Sequence, residues 1–419
     1  MIQSYKNKKC CIIDNGLFPS LAETLGKHFG TVWYHTPWIG AFPKSNAMLP
    51  GFGIPGVTRC NDIWSIKDEV DLWIFPDVYY GSLQLELQNQ GKRVWGSRLG
   101  EELELHRKES KEYLRKIGLN VGKYEVIIGL DKLRSYLKAK DNVWVKISTT
   151  RGDMETFNSP NYKNIEPRLD KLERDLGAVK KIKEFIVEDS IEDAVEIGFD
   201  GFTIDGNFPK KCLAGIETKA KGYVGVFKDY KDMPKQIIDT NNKMSSTLKK
   251  YGYKNWFCNE LRVTKDGTPW VIDPLCRFGS PPGDLIQLMY TNLADIFWFG
   301  AEGKIIEPIP LAKYGVELLI SSEWADNDWQ AIDFPKEIAE NVKFRNLCII
   351  EKEHYVIPSH LGLGVGAIVA CDNTIEGAIK KITEISKKIE TYDMEVFPES
   401  LNEAVKKNEE LKKQGINLI

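Results

Sequence analysis

Four short apolar runs, set apart by stretches long enough for helices, place the strongest limit on how this chain folds. Residues 9–13 (KCCII), 31–35 (TVWYH), 70–77 (VDLWIFPD) and 92–97 (KRVWGS) read as strands, and residues 19–29 as a helix. Strands that alternate with helices imply a parallel sheet covered by helices. The expectation is a Rossmann-like opening domain that ends near residue 98. Asp14, Asn15 and Gly16 follow the first strand, where a dinucleotide-binding fold would carry GxGxxG. A nicotinamide-dependent oxidoreductase, the competing enzyme class, therefore lacks its fingerprint.

Beyond that domain the pattern changes. Residues 100–117 (GEELELHRKESKEYLRKI) read as one charged helix, with Gly118 placed as a C-cap. KYEVI and NVWVKIS read as strands with a helix between them, and residues 163–181 as a charged helix. KEFIVEDS and EIGFDGFTID are further strands, and residues 283–300 an apolar helix. The tail holds a strand pair, then strand, turn and amphipathic helix in GVGAIVACDNTIEGAIKKITEISKKI, and a closing surface helix over the final 20 residues.

Bulk properties exclude several classes. Net charge is −3, so the basic excess of a nucleic-acid binder is missing. Eight cysteines without CxxC pairs read as reduced, mostly buried thiols, and five histidines without HxH or HExxH argue against zinc. No apolar run approaches about 18 residues, and the first one is stopped by Asp14, so neither a membrane span nor a signal peptide is expected. The expected location is cytoplasmic, as a monomer or homodimer.

Residues 256–279 (WFCNELRVTKDGTPWVIDPLCRFG) carry the densest chemistry. They read as a hairpin turning at Lys265-Asp266-Gly267, since Asp-Gly favours a tight reversal. Glu260 and Asp273 then lie on neighbouring strands, with Arg277 four residues on. Two carboxylates and an arginine suit a magnesium–triphosphate site, because Mg²⁺ takes oxygen ligands and bridges phosphate oxygens. Spacing alone is also compatible with a cross-strand ion-pair patch on a surface hairpin. Lys146 ends the strand VWVK and could reach phosphates, or could snorkel from a sheet edge. Ser148 to Asp153 form a polar loop that could cover phosphates, and Glu188 and Glu196 could accept from an adenine amine and from ribose hydroxyls.

The order of these features resembles the ATP-grasp superfamily, and within it the glycinamide ribonucleotide synthetase family, from about residue 70 to 390. The motifs are RVWGSRLGEELELHRKESKEYLRKIGLNVGKYEVI, VWVKIS, FIVED, the Arg277-Phe278-Gly279 run, SPPGDLIQLMYTNLADIFWFGAEGKI and GVGAIVACDNTIEGAIKKI. The resemblance implies an α/β and α+β chain: a Rossmann-like domain (1–98), a linker helix and first ATP-grasp lobe (99–190), a second lobe with the metal and catalytic residues (191–305), and a C-terminal α/β domain (306–419). It implies that Arg107, beside Lys108, and Lys146 bind phosphates. Glu188, Ile186 and Val187 would form the adenine hinge, and Glu196 would hold the ribose. Glu260 and Asp273 would hold Mg²⁺ or Mn²⁺, and Arg277 would act on the transferred phosphoryl group.

The implied reaction is ATP-dependent ligation of a small-molecule carboxylate to an amine through an acyl phosphate. Arg151 is the candidate for gripping the carboxylate, since a guanidinium binds one bidentately. Asp153 or Glu217 would hold the amine, Lys219 would add a phosphate contact, and the Asp77 loop would line the acceptor site. Four departures set the chain apart from that family. DNGLFPS replaces its first Gly-rich loop, STTRGDMETF its phosphate loop, KAKGYVGVFKDY its Thr-Gly-Gly-Met-Gly stretch, and Leu275 its asparagine metal ligand. They point to a paralogue with a different substrate. A true phosphoribosylamine–glycine ligase and a degenerate nucleotide-binding protein are the alternatives within the superfamily.

Overall fold

The computed structural model describes residues 4–37, 49–149, 156–358 and 364–419. The chain divides into two compact units. One comprises Met1–Glu101, Ile197–Asn259 and Leu275–Ile419, and the other Glu102–Glu196 and Glu260–Pro274.

The first unit contains a five-stranded, all-parallel sheet in the order Val57–Arg59, Phe29–His35, Tyr5–Ile13, Leu72–Ile74, Val94–Trp95. Its middle strand explains the apolar run in the sequence. Cys10 and Ile12 pack on one face with Leu17, Phe18 and Leu21, while Cys11 and Ile13 pack on the other with Trp33, Trp73 and Phe75. A strand covered on both faces has no polar side to show. Buried Asp14 ends it and accepts the N–H groups of Gly16 (2.8 Å) and Phe18 (2.7 Å) and the hydroxyl of Tyr34. This closes the turn into helix Pro19–Gly26, which carries proline in its first turn.

The same unit holds a long, mainly antiparallel sheet. Strands Lys254–Thr264, Ala194–Ile204, Lys211–Thr218, Gly222–Asp229, Tyr314–Ile320, Gly366–Asp372 and Val342–Phe344 follow one another across it, the first two belonging here only up to Asn259 and from Ile197. Helices Gly283–Met289 and Leu293–Ala301 join this sheet to the parallel one in a single core, in which the Trp95 ring lies 4.9 Å from Phe297 and 6.0 Å from Trp256. A smaller sheet runs Leu347–Ile350, Glu353–Val356, Gln330–Asp333, Glu390–Thr391.

The second unit is built on an antiparallel sheet in the order Tyr124–Ile128, Glu184–Asp189, Val143–Ile147, Thr156–Ser159. Alternation sorts the middle strand: Val143, Val145 and Ile147 face helices Leu130–Leu137 and Tyr162–Leu176, and Trp144 and Lys146 face the other way. The helices bury Leu130, Leu133 and Leu137, and Ile165, Leu169 and Leu172, at helical spacing. Burying each such leucine stabilises the fold by roughly 2 kcal/mol.

Two expected helices are subdivided. The 100–117 stretch is a short turn, helix Glu102–Leu105, a break at His106 (φ −97°, ψ 74°) and helix Arg107–Lys116. The 283–300 stretch breaks after Met289. There Asn292 turns its amide to the following loop, donating to the Glu307 carbonyl and accepting from Ile309 N–H, both at 2.9 Å. The helix expected over 19–29 stops at Gly26, because Phe29 already begins the next strand.

Candidate active site

The face of the second unit's sheet turned away from its helices carries a buried charge cluster. Strand register creates it. Glu188 stands opposite Trp144, and Lys146 opposite Ile186, so Lys146 and Glu188 are diagonal neighbours on one face. Lys146 Nζ lies 3.2 Å from Glu188 Oε1 and 2.8 Å from Asp273 Oδ2, and also donates to the Ile272 carbonyl at 3.2 Å. Helix Arg107–Lys116 adds two more cations. Arg107 and Lys111, one turn apart, share its buried face with Ser110 and Leu114. Arg107 Nη1 donates to Asp273 Oδ1 at 3.0 Å, and Lys111 Nζ lies 2.9 Å from Glu188 Oε1.

Exposure makes this arrangement unusual. The side chain of Lys146 is 2% exposed, Lys111 4%, Arg107 and Glu188 7%, and Asp273 23%. Among the described residues, three cations here face two carboxylates. Burial alone would push the Asp273 carboxyl up, but the Lys146, Arg107 and Lys111 charges together hold it down at about 2. Burial works against the Lys146 ammonium too, yet Asp273 and Glu188 outweigh it and raise its pKa. At Lys111 burial wins and the pKa is lowered. Losing one partner from so buried a network leaves an uncompensated charge, at a cost of about 3–5 kcal/mol.

The hairpin that presents Asp273 is closed by its own side chains. Gly267 N–H bonds the Thr264 carbonyl (2.8 Å), Thr264 N–H the Thr268 carbonyl (3.1 Å), and Asp266 Oδ1 accepts from both Thr264 Oγ1 and Thr268 N–H. Gly267 sits at φ +82°, which a side chain would strain. Glu260 occupies the first strand of this hairpin, half-buried.

The remaining expected residues are distributed as follows. Ile186 is on the Lys146 face, while Val187 is in the helix-packed core. Glu196 is exposed near the start of its strand, and Lys108 is half-buried beside Arg107. In the first unit, Arg277 is half-buried next to Phe278, whose ring packs 4.6 Å from Trp256 and 5.1 Å from Phe18. Glu217 is half-buried, Lys219 is exposed in the turn after it, and Asp77 is fully buried, accepting Val78 N–H at 2.9 Å. Leu275 is half-buried at the end of its strand. Arg151 and Asp153 lie outside the described residues. Among the described residues no group of three or more Asp, Glu, His or Cys side chains could hold a metal ion. No described helix is long and apolar enough to cross a membrane. Lys111 was not anticipated; its signal was the four-residue spacing from Arg107.

No protein-family model matches the chain, and no curated protein matches it by sequence. Solved structures do. A phosphoribosylamine–glycine ligase from Thermotoga maritima superposes with a TM-score of 0.68 at 16% identity, covering 92% of this chain and 98% of its own. The biotin carboxylase domain of the Hydrogenobacter thermophilus 2-oxoglutarate carboxylase, solved with MgADP, ADP and bicarbonate, gives 0.66 at 12% identity, covering 99% and 97%. An L-amino acid ligase from Bacillus licheniformis gives 0.60 at 15%, covering 93% and 100%. These proteins have the ATP-grasp fold, and this chain has it too.

Proposed function

We propose that this chain is an ATP-dependent carboxylate–amine ligase, which forms an amide through an acyl phosphate and releases ADP and phosphate. What carries this conclusion is Lys146, an almost fully buried ammonium held by two carboxylates on the sheet face of an ATP-grasp fold. Three buried cations drawn from a helix and a strand, gathered on one face, suit a polyanion.

The donor set fits a metal–nucleotide. Mg²⁺ keeps waters and phosphate oxygens as ligands, so one or two protein carboxylates suffice, and Asp273 and Glu260 would provide them. When bound, the ion would screen the charge of the reacting phosphoryl group. Arg107 and Lys146, which grip Asp273, would turn to phosphate oxygens. Lys111 would orient Glu188 to accept from the adenine amine, with Ile186 as the neighbouring apolar surface. The roles expected of Val187, Glu196, Arg277, Arg151, Asp153, Glu217, Lys219 and Asp77 belong to the same proposal.

Calorimetric binding of MgATP, followed by ADP release with mixed carboxylates and amines, tests it. Wild-type protein should bind MgATP, and Lys146→Met should lower turnover by about 10²–10³-fold, as for loss of one preorganised donor. A folded wild-type protein that does not bind MgATP would remove the proposal. Leu275, in place of an asparagine ligand, favours the second reading of a nucleotide binder without ligase activity. Binding without ADP release for any pair would establish that reading instead.

A further inference from the structure

Those roles leave unexplained a group of sheltered acids in the first unit, Asp200, Asp284 and Glu317 among them. One face of its antiparallel sheet carries a polar row. Glu217 pairs with Tyr223, and Tyr223 with Glu317, so three neighbouring strands project these side chains to the same side. Tyr223 Oη donates to Asp200 Oδ2 at 2.7 Å, which brings in a fourth strand. At the other end Leu285 N–H donates to Glu317 Oε2 at 3.0 Å, next to Asp284 of the same helix.

Three carboxyl groups thus share one stretch of sheet, with Asp284 on the helix beside it, and Arg345 and Lys343 act on Asp284, Arg345 also on Glu317. Burial, with Glu217 adding to it, pushes Asp200 up to about 7 against its bonds from Tyr223 and Cys258. Burial first, and then the Asp284 charge, carries Glu317 well above the ordinary range. Glu317 is fully buried, and its Oε1 has no hydrogen-bond partner among the described residues. Such an oxygen costs about 1–3 kcal/mol unless a donor meets it. The row reaches partial exposure at Asp200 and Glu217. A metal ion held by three or more of these side chains is a poor match, since no such group is found among the described residues. A primary ammonium is a good one, being a compact charge with three donors.

We propose that this row binds the amine co-substrate as its ammonium, with Glu317 Oε1 as the anchoring acceptor, and that it selects amines without a carboxylate, diamines above all. An amino acid would bring its own anion into an acid-rich row. The identity of the amine rests on the ligase reading; the cation site does not.

The probe is 1,4-diaminobutane, titrated calorimetrically into full-length protein with glycine as the comparison, alongside a separate MgATP titration. Wild-type protein should bind the diamine at least tenfold more tightly than glycine. Glu317→Gln should weaken the diamine at least tenfold and leave MgATP affinity unchanged. Glu217→Gln, at a half-exposed position, should weaken it several-fold and serves if the first variant does not fold. No diamine binding at millimolar concentration, or equal affinity in wild type and both variants, overturns the proposal. Diamine binding without ADP release under any carboxylate would instead sink the ligase reading and leave the cation site standing.

Discussion

Asp273 and Asp200 are the same side chain, both sheltered on β-strands, and their surroundings drive them in opposite directions. Asp273 is gripped by Lys146 and Arg107, and its pKa falls to about 2. Asp200 has a tyrosine and a thiol for partners and another acid for a neighbour, and its pKa climbs to about 7. Burial raises both; what differs is the sign of the charge facing each. Among the described residues, one unit sets three cations around two carboxylates, and the other brings carboxylates beside one another. The first suits a polyanionic nucleotide and the second a cation.

Truncation should separate the two most sharply. Asp273→Ala removes the principal partner of Lys146 and leaves a buried ammonium with Glu188 and the Ile272 carbonyl. Urea unfolding at pH 8 should show a loss of about 3–5 kcal/mol. Asp200→Asn keeps an acceptor for Tyr223 and removes a carboxyl that resists ionisation, so at pH 8 its stability should equal or exceed wild type. Equal losses in the two variants would mean that burial, and not the facing charge, governs both sites.

A pH series comes next in size. The folded pKa of Asp200 is raised, so the folded state holds a proton that the unfolded state releases near 3.8. Its contribution is present below about pH 4 and is lost as pH rises towards 7, by up to about 1.4 kcal/mol per unit. Asp273 is depressed, so its contribution is present above about pH 4 and is lost as pH falls towards 2. Urea midpoints at pH 5, 6 and 7 should show Asp200→Asn gaining steadily on wild type. A difference that stays flat over that range would contradict the raised pKa.

Much of the fold was legible because burial on both faces leaves a plain apolar run, as in Cys10 to Ile13. The hairpin was legible because its turn needs a residue at positive φ, which Gly267 supplies. Helix breaks were not, since Asn292 interrupts its helix through bonds to a loop fifteen or more residues away. Lys146, Glu188, Asp273 and Arg107 were each named from the order of motifs, and the structure brings these four together. Of the acid row the sequence points to Glu217 alone, for a physical reason. Glu317 in YGVELLI and Asp200 in EIGFDGF sit where a half-exposed strand would show its polar side, and their sequences cannot say that the side is covered. Only the register that joins Glu217, Tyr223 and Glu317 across a hundred residues makes them one feature.

The smallest effect tests how finely the positive cluster is divided. Among the described carboxylates Lys111 pairs with Glu188, and Glu188 keeps Lys146 when Lys111 is gone. Burial already lowers the Lys111 pKa, so an apolar side chain of similar length relieves some cost as it removes the pair. Lys111→Met should therefore change stability by less than about 1 kcal/mol, well short of Asp273→Ala. MgATP affinity should fall about tenfold, the equivalent of about 1.4 kcal/mol, through loss of the group that fixes Glu188. Lys146→Met should cost more on both measures. A Lys111 variant as damaging as Lys146→Met would show that the helix cation and the strand cation act as one indivisible unit, and the division of labour drawn from their separate partners would have to go.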